Sequence, residues 1–280
     1  MEITDRIAVV TGAGSGIGRS FAKRLVDRGA RHVVCTDLNG DNAEETAAII
    51  CEASGDKASA RALDVSDESA IESLVKDVEA SIGGIDIFVS NAGYGQRGGL
   101  DLSTEDWEKM MSVHTWSHLS VARAVIPGMV SRGGGYLFST ASAAGLLTQI
   151  DSGPYAVSKH AAIAFAEWVS INYAEQGIGV SVLCPQAVRT NIMENSILRA
   201  GGELPSKEQR EARRNSNQAS QDGVLEPDAV ADECIDAIIS ERFLVLPHPE
   251  VETYFQRKAN DYDRWLNGMR RFKAKLAGNK

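Results

Sequence analysis

The sequence predicts an α/β fold: a doubly wound parallel sheet in a single domain, with a substrate lid and a C-terminal helical tail. Three observations carry this. Over the first 190 residues, short apolar runs alternate with longer amphipathic stretches. Several of the runs are apolar at consecutive positions, as strands covered on both faces must be. A glycine-rich turn joins the first run to the first amphipathic stretch. Repetition of strand, helix and strand implies parallel pairing through right-handed crossovers, with helices on both faces.

Strands are expected at Ile7–Val10, His32–Thr36, Ala60–Leu63, Ile85–Ser90, Gly135–Ser139 and Gly179–Leu183. Helical periodicity covers residues 17–29, 41–54, 67–82, 104–131 and 153–176. After Thr190 the chain turns polar, and a long segment of that kind inside a compact domain is expected to act as a lid. Glu226-Pro227-Asp228 opens a further helix, with proline in its first turn. Phe243–Leu246 then supplies a last strand. The expected division is residues 1–250 as the catalytic unit, with a lid over 191–222, and 251–280 as an extension. From Tyr254 to Lys280 eight basic residues meet two acidic ones, a local +6 that leaves −15 on the remainder. Phe255, Tyr262, Trp265 or Leu266, Met269, Phe272 and Leu276 recur there at helical spacing, so an amphipathic helix docked on the acidic body or on a neighbouring subunit is expected.

A formal charge of −9 over 280 residues argues against nucleic acid as a partner. No apolar run approaches the ~18 residues that span a bilayer. Met1 to Arg6 lack the basic and apolar regions of a secretory leader. Cys35, Cys51, Cys184 and Cys234 stand far apart, as reduced thiols of a cytoplasmic protein would.

Two clusters carry chemistry. Thr11-Gly12-Ala13-Gly14-Ser15-Gly16-Ile17-Gly18 follows the first strand and opens the first helix. Glycines at 12, 16 and 18 suit a tight turn, close approach of a pyrophosphate and tight helix packing, while the helix N-terminus offers free N–H groups to the anion. Asp37 ends the second strand, 19 residues after Gly18. A carboxylate there accepts from both adenosine ribose hydroxyls and repels a 2′-phosphate, so NAD is favoured over NADP. The second cluster is Tyr155 with Lys159, a phenol and an ammonium one helical turn apart. A nearby cation favours the phenolate, bringing a group of pKa ~10 closer to use as a base. Ser142, thirteen residues earlier, offers a hydroxyl to a substrate oxygen.

Together these residues make the chain resemble a short-chain dehydrogenase/reductase, of Rossmann-like fold, over residues 5–246. The motifs agree in order: Thr11–Gly18, Asp64-Val65, Asn91-Ala92-Gly93, Ser142, Tyr155 with Lys159, and Pro185–Thr190. The resemblance implies that Tyr155 is the general acid/base, that Lys159 lowers its pKa and holds the nicotinamide ribose, and that Ser142 orients the substrate oxygen. Gly12, Ser15, Gly16, Ile17 and Gly18 would hold the pyrophosphate, and Asp37 the ribose. Asp64 and Val65 would meet the adenine. Asn91, Ala92 and Gly93 would flank the cofactor, with Pro185, Val188 and Thr190 along the nicotinamide. It further implies hydride transfer between NAD(H) and a secondary alcohol or ketone, and a homo-oligomer, dimer or tetramer.

Two positions depart from the family pattern. His114 stands where an asparagine usually helps bind a relay water, and either maintains that relay or serves as packing. Gln186 replaces a common glycine after Pro185. No histidine–cysteine–carboxylate set suggests a metal. Near the reaction the side chains are mixed and largely apolar, with no basic cluster, so a neutral, apolar substrate is expected. A catalytically silent NAD(H)-binding regulatory protein is the other reading the sequence leaves open.

Overall fold

The computed structural model describes residues 1–199, 202–206, 208–209 and 218–278. Seven parallel strands form one sheet in the order β3-β2-β1-β4-β5-β6-β7. They are β1 (Ile7–Thr11), β2 (His32–Asp37), β3 (Ala58–Ala62), β4 (Ile87–Ser90), β5 (Gly135–Thr140), β6 (Ile178–Leu183) and β7 (Leu244–Val245). Successive residues of one strand enter opposite cores. Ile7 and Val9 pack beneath helices α3 (Glu68–Ser81), α5 (Ser117–Ser131) and α7 (Gly153–Tyr173). Ala8 and Val10 pack beneath α1 (Gly16–Asp27), α2 (Gly40–Ser54) and the late helix α9 (Pro227–Ser240). This double burial is why the strands read as unbroken apolar runs.

Chain direction across the sheet reverses between β1 and β4, which pair through Ala8↔Ile87, Val9↔Phe88 and Val10↔Val89. At such a switch point the flanking connections diverge and leave a crevice at the carboxyl ends of the strands. The expected helix over 104–131 is one rod with a wider turn inside it: α4 (Thr104–Met111), a π-helical segment at Ser112–Trp116, then α5. Strand β7 is shorter than expected, two residues paired to β6 through Val182↔Leu244 and Leu183↔Val245.

Within the expected lid, α8 (Ile192–Arg199) and a short 3₁₀ turn at Gln218–Ser220 are formed, while 200–201, 207 and 210–217 lie outside the described residues. The C-terminal extension is two helices, α10 (Glu250–Asn260) and α11 (Tyr262–Gly278). Lys258 pins them to the body. Its buried ammonium donates to Leu146 O at 2.6 Å, in the short helix α6 (Ala144–Leu147), beneath the rings of Tyr262 and Trp265 at 5.4 and 5.0 Å. Among the described residues no helix is long and apolar enough to cross a membrane, and no group of His, Cys, Asp or Glu is arranged to hold a metal.

Candidate active site

One cleft runs along the carboxyl ends of the strands, with a volume of about 2600 Å³. That exceeds the ~300–1,000 Å³ of an ordinary small-ligand pocket, so there is room for a large cofactor and a substrate side by side. Every residue singled out for catalysis or cofactor contact lines it except Gly18, which sits just behind.

The glycine loop has the close approaches that its composition implied. Gly16 has φ +53°, and a Cβ there would lie 2.9 Å from Thr190 Cγ2. A Cβ on Gly18 would strike Gly12 O at 2.2 Å, so helix α1 meets the strand end through bare backbone. Ser15 caps α1 without a side-chain hydrogen bond, and the first turn holds no acidic residue. Its N–H groups are therefore available to an anion, and a pyrophosphate fits. Gly14 N–H donates to Asp37 Oδ2 at 3.0 Å, and Asn39 N–H donates to Asp37 Oδ1 at 3.0 Å. The carboxylate is thus held at the rim, at the end of β2. Arg19, on the first helix, is committed elsewhere: it donates to Gly14 O and pairs with Glu45. Asp64 accepts from the backbone and hydroxyl of Ser66 at 2.9 and 2.7 Å, with Val65 beside it.

Deeper in the cleft a chain of hydrogen bonds ties four elements together. Thr11 Oγ1 accepts from the N–H groups of Asn91 and Ala92 at 2.9 and 3.0 Å. Asn91 Nδ2 donates to Thr11 O, and its Oδ1 accepts from Thr140 Oγ1 at 3.1 Å. Lys159 Nζ then donates to Thr140 O at 2.8 Å and lies 5.7 Å from the centre of the Tyr155 ring. Lys159 is buried, and desolvation pulls its pKa down to about 8. Desolvation pushes the Tyr155 phenol up, opposed by a hydrogen bond with Ser142. Burial penalises each charge by itself; a phenolate beside an ammonium offsets both penalties.

His114 is fully buried. Its Nε2 accepts from the Tyr94 N–H at 3.1 Å, which leaves Nδ1 as the protonated nitrogen, donating to Ser158 Oγ at 3.0 Å. Ser158 Oγ in turn donates to Tyr155 O. The ring also meets Tyr155 edge-on, 5.4 Å between centres. Both nitrogens are engaged in joining the loop after β4 to the helix that carries Tyr155.

Gln186 is equally occupied. Its N–H donates to His248 Nδ1 at 3.2 Å, and its amide donates to Asp222 Oδ2 at 2.8 Å. Tyr254 OH donates to the other Asp222 oxygen at 3.0 Å. The loop that begins at Pro185 is therefore strapped to His248, to Asp222 at the end of the expected lid and, through Asp222, to the tail. The sequence pattern missed Asp222 and Tyr254, because Asp222 meets Gln186 and Tyr254 across 36 and 32 positions. It also found no cluster of Arg or Lys near the reaction, whereas Arg257, Arg264 and Arg271 of the tail line the cleft. Their regular seven-residue spacing was the available signal.

The family description "short chain dehydrogenase" matches residues 6–199. The 1-deoxy-11-beta-hydroxypentalenate dehydrogenase of Streptomyces avermitilis is 31% identical over 274 residues, covering 95% of this chain and 93% of that protein. A short chain dehydrogenase/reductase from Burkholderia phymatum, solved in complex with NAD, superposes with a TM-score of 0.82 at 29% identity, over 94% of this chain and 96% of the other. The L-sorbose reductase of Gluconobacter frateurii, solved with NADPH and L-sorbose, shares the fold at a TM-score of 0.78 and 23% identity, over 88% and 97% of the two chains. With a seven-stranded parallel sheet, a cleft at its switch point and a tyrosine, lysine and serine gathered in it, the chain belongs to the short-chain dehydrogenase family and is a nicotinamide-dependent oxidoreductase acting on an alcohol or ketone.

Proposed function

We propose that the protein transfers a hydride between NAD(H) and a secondary alcohol or ketone, with Tyr155 as the general acid/base. The observation that carries this is the meeting of Tyr155, Ser142 and Lys159 in a cleft whose other end holds Asp37. When bound, the nicotinamide supplies or accepts the hydride at its ring. Ser142 holds the substrate oxygen by a hydrogen bond. During oxidation Tyr155 Oη takes the hydroxyl proton, and during reduction it returns one. Lys159, fixed by Thr140 O, stabilises the phenolate. His114 acts by position: it holds the Tyr94 loop against the catalytic helix and fixes Ser158 beneath Tyr155.

Preference for NAD is supported by the Asp37 carboxylate at the end of β2, which repels a 2′-phosphate, and by the pairing of Arg19 with Glu45. Residues 1–250 are the catalytic unit, 191–222 its lid and 251–280 an extension that closes the substrate end. A homo-oligomer is supported by Trp116, Val157, Trp168 and Ile171, which stand exposed on neighbouring helices. Four free cysteines, three of them buried, fit a cytoplasmic setting. The test is nicotinamide reduction, followed by absorbance, with NAD and with NADP over a panel of secondary alcohols. NAD-dependent turnover supports the reading. NADH binding with silence across the panel moves it to the regulatory alternative.

A further inference from the structure

We infer that the substrate carries a carboxylate, held at the far end of the cleft by arginines of the C-terminal helices. This rests on the reaction proposed above and names the substrate class more closely. Arg264 and Arg271 lie on α11 seven residues apart, two turns along one face, and Arg257 lies in the last turn of α10. All three line the cleft that contains Tyr155, and Arg97 joins them from the loop after β4.

Charge pairing sets these arginines apart. Arg6, Arg19, Arg24, Arg132, Arg189 and Arg242 each meet a carboxylate. Among the described residues, Arg97, Arg257, Arg264 and Arg271 meet none; Arg31, Arg61 and Arg270 also meet none, but they donate to Ile82 O, Ala60 O and Asn267 Oδ1 and lie outside the cleft. Two of the acids that share the cleft with them are committed: Asp222 accepts from Gln186 and Tyr254, and Asp261 accepts from the Arg264 backbone at 2.9 Å. Asp106 accepts from Ser103, and Asp151 and Glu194 line the same cleft. A row of unmatched guanidinium groups beside a cleft favours an anion, and a planar carboxylate matches their paired N–H groups.

Gly268 points the same way. It lies between Arg264 and Arg271 on the cleft side of α11, inside a helix where glycine costs about 1 kcal/mol relative to alanine. A Cβ there would meet nothing nearer than Arg271 Nη2 at 3.9 Å, so the space above the helix is open. Sequence has spent helix stability to leave a gap between two arginines. The helices that carry the row are anchored, since Lys258 and Tyr254 pin α10 to the body through Leu146 O and Asp222, and Lys258 also meets the Tyr262 and Trp265 rings of α11. Such preorganisation lowers the entropy lost on binding.

The test compares acids with their methyl esters in the full-length enzyme: 3-hydroxybutanoate, 3-hydroxyoctanoate and 4-(1-hydroxyethyl)benzoate, each with NAD. Wild type should favour at least one acid over its ester in kcat/KM by about tenfold, the scale of one charge-assisted hydrogen bond. The combined variant Arg257→Gln/Arg264→Gln/Arg271→Gln should erase that ratio, chiefly through KM. Gly268→Leu should shrink it with no change of charge. Calorimetry of the matching keto acids and keto esters on the NADH-loaded protein reads the same preference without turnover. A preference in calorimetry with no oxidation overturns the proposed reaction and leaves the carboxylate site standing. An acid-to-ester ratio at or below one across the panel, or a ratio untouched by the triple variant, overturns the inference.

Discussion

The two ends of the cleft are made differently. At the end proposed for the adenosine the walls are largely backbone: a glycine loop, the first turn of α1 and the carboxyl ends of β1, β2 and β4, all from the first 91 residues. At the substrate end the walls are side chains from the loop after β4, from α6, α8 and the loop after β6, and from helices that begin at Glu250. The first end is rigid because altering it means moving the sheet. The second is assembled by a few polar ties, and each tie can be cut singly. A scaffold of this kind keeps one cofactor geometry while its substrate wall is free to vary.

The comparison is tested most severely where the two ends meet. Tyr155→Phe keeps the ring against His114 and removes the proton carrier. Turnover should fall by about 10²–10⁴-fold, while NADH binding, read by fluorescence, should persist. Loss of both together would mean that the two ends are not separable. The pH profile sharpens the same point. Lys159 is held down to about 8 and Tyr155 is pushed up, so the pair first loses one proton near 8. The two singly deprotonated forms exchange internally, and one of them is the phenolate–ammonium pair. Oxidation kcat/KM should therefore rise with pH up to about 8 and then level. Lys159→Met should move that rise toward the tyrosine's own range, above about 10. An unmoved profile would assign it to another group.

Smaller effects separate the ends themselves. Gly16→Val forces a branched side chain into φ +53° and against Thr190. It should raise the KM for NAD tenfold or more, the cost of about 1–2 kcal/mol for a left-handed residue plus the clash, and do so equally for every alcohol. Asp222→Asn and Tyr254→Phe cut the strap between the cofactor loop and the tail. Each should cost severalfold in kcat/KM, as loss of a hydrogen bond worth about 1 kcal/mol would. The double variant should cost no more than the worse single, because both changes break one network. Full additivity would show that the strap does not act as a unit.

The contrast also explains what could be read in advance. The sheet, its order of helices and the cofactor loop were legible because they rest on short spacings: the 19 residues from Gly18 to Asp37, or the four from Tyr155 to Lys159. Strand ends shifted by a residue or two, as at Ala58–Ala62 and Leu244–Val245, where edge positions leave apolar pattern a weak guide. The π-helical turn inside the 104–131 rod leaves no mark in apolar spacing. The substrate wall was illegible for a different reason. Its contacts join Gln186 to Asp222, Asp222 to Tyr254 and Leu146 to Lys258, pairs whose meeting is decided by packing of whole helices. Gln186 and His114 stood out as departures from a family pattern, but what they hold became visible only in three dimensions.

The wider turn at Ser112–Trp116 has a mechanical meaning of its own. A π turn carries one residue more than the α turns on either side, so it acts as a phase shift of roughly 100° between two lengths of one rod. The upstream length aims the Trp107 indole at the chain beside the cleft, donating to Gly99 O at 3.3 Å. The downstream length puts His118, Val121 and Val125 under the sheet. The region is thereby more tolerant of exchange than of a change in length. Replacing a side chain leaves the two phases intact, whereas removing a single residue would wind the turn back to α and rotate the upper half of the rod away from the cleft it covers.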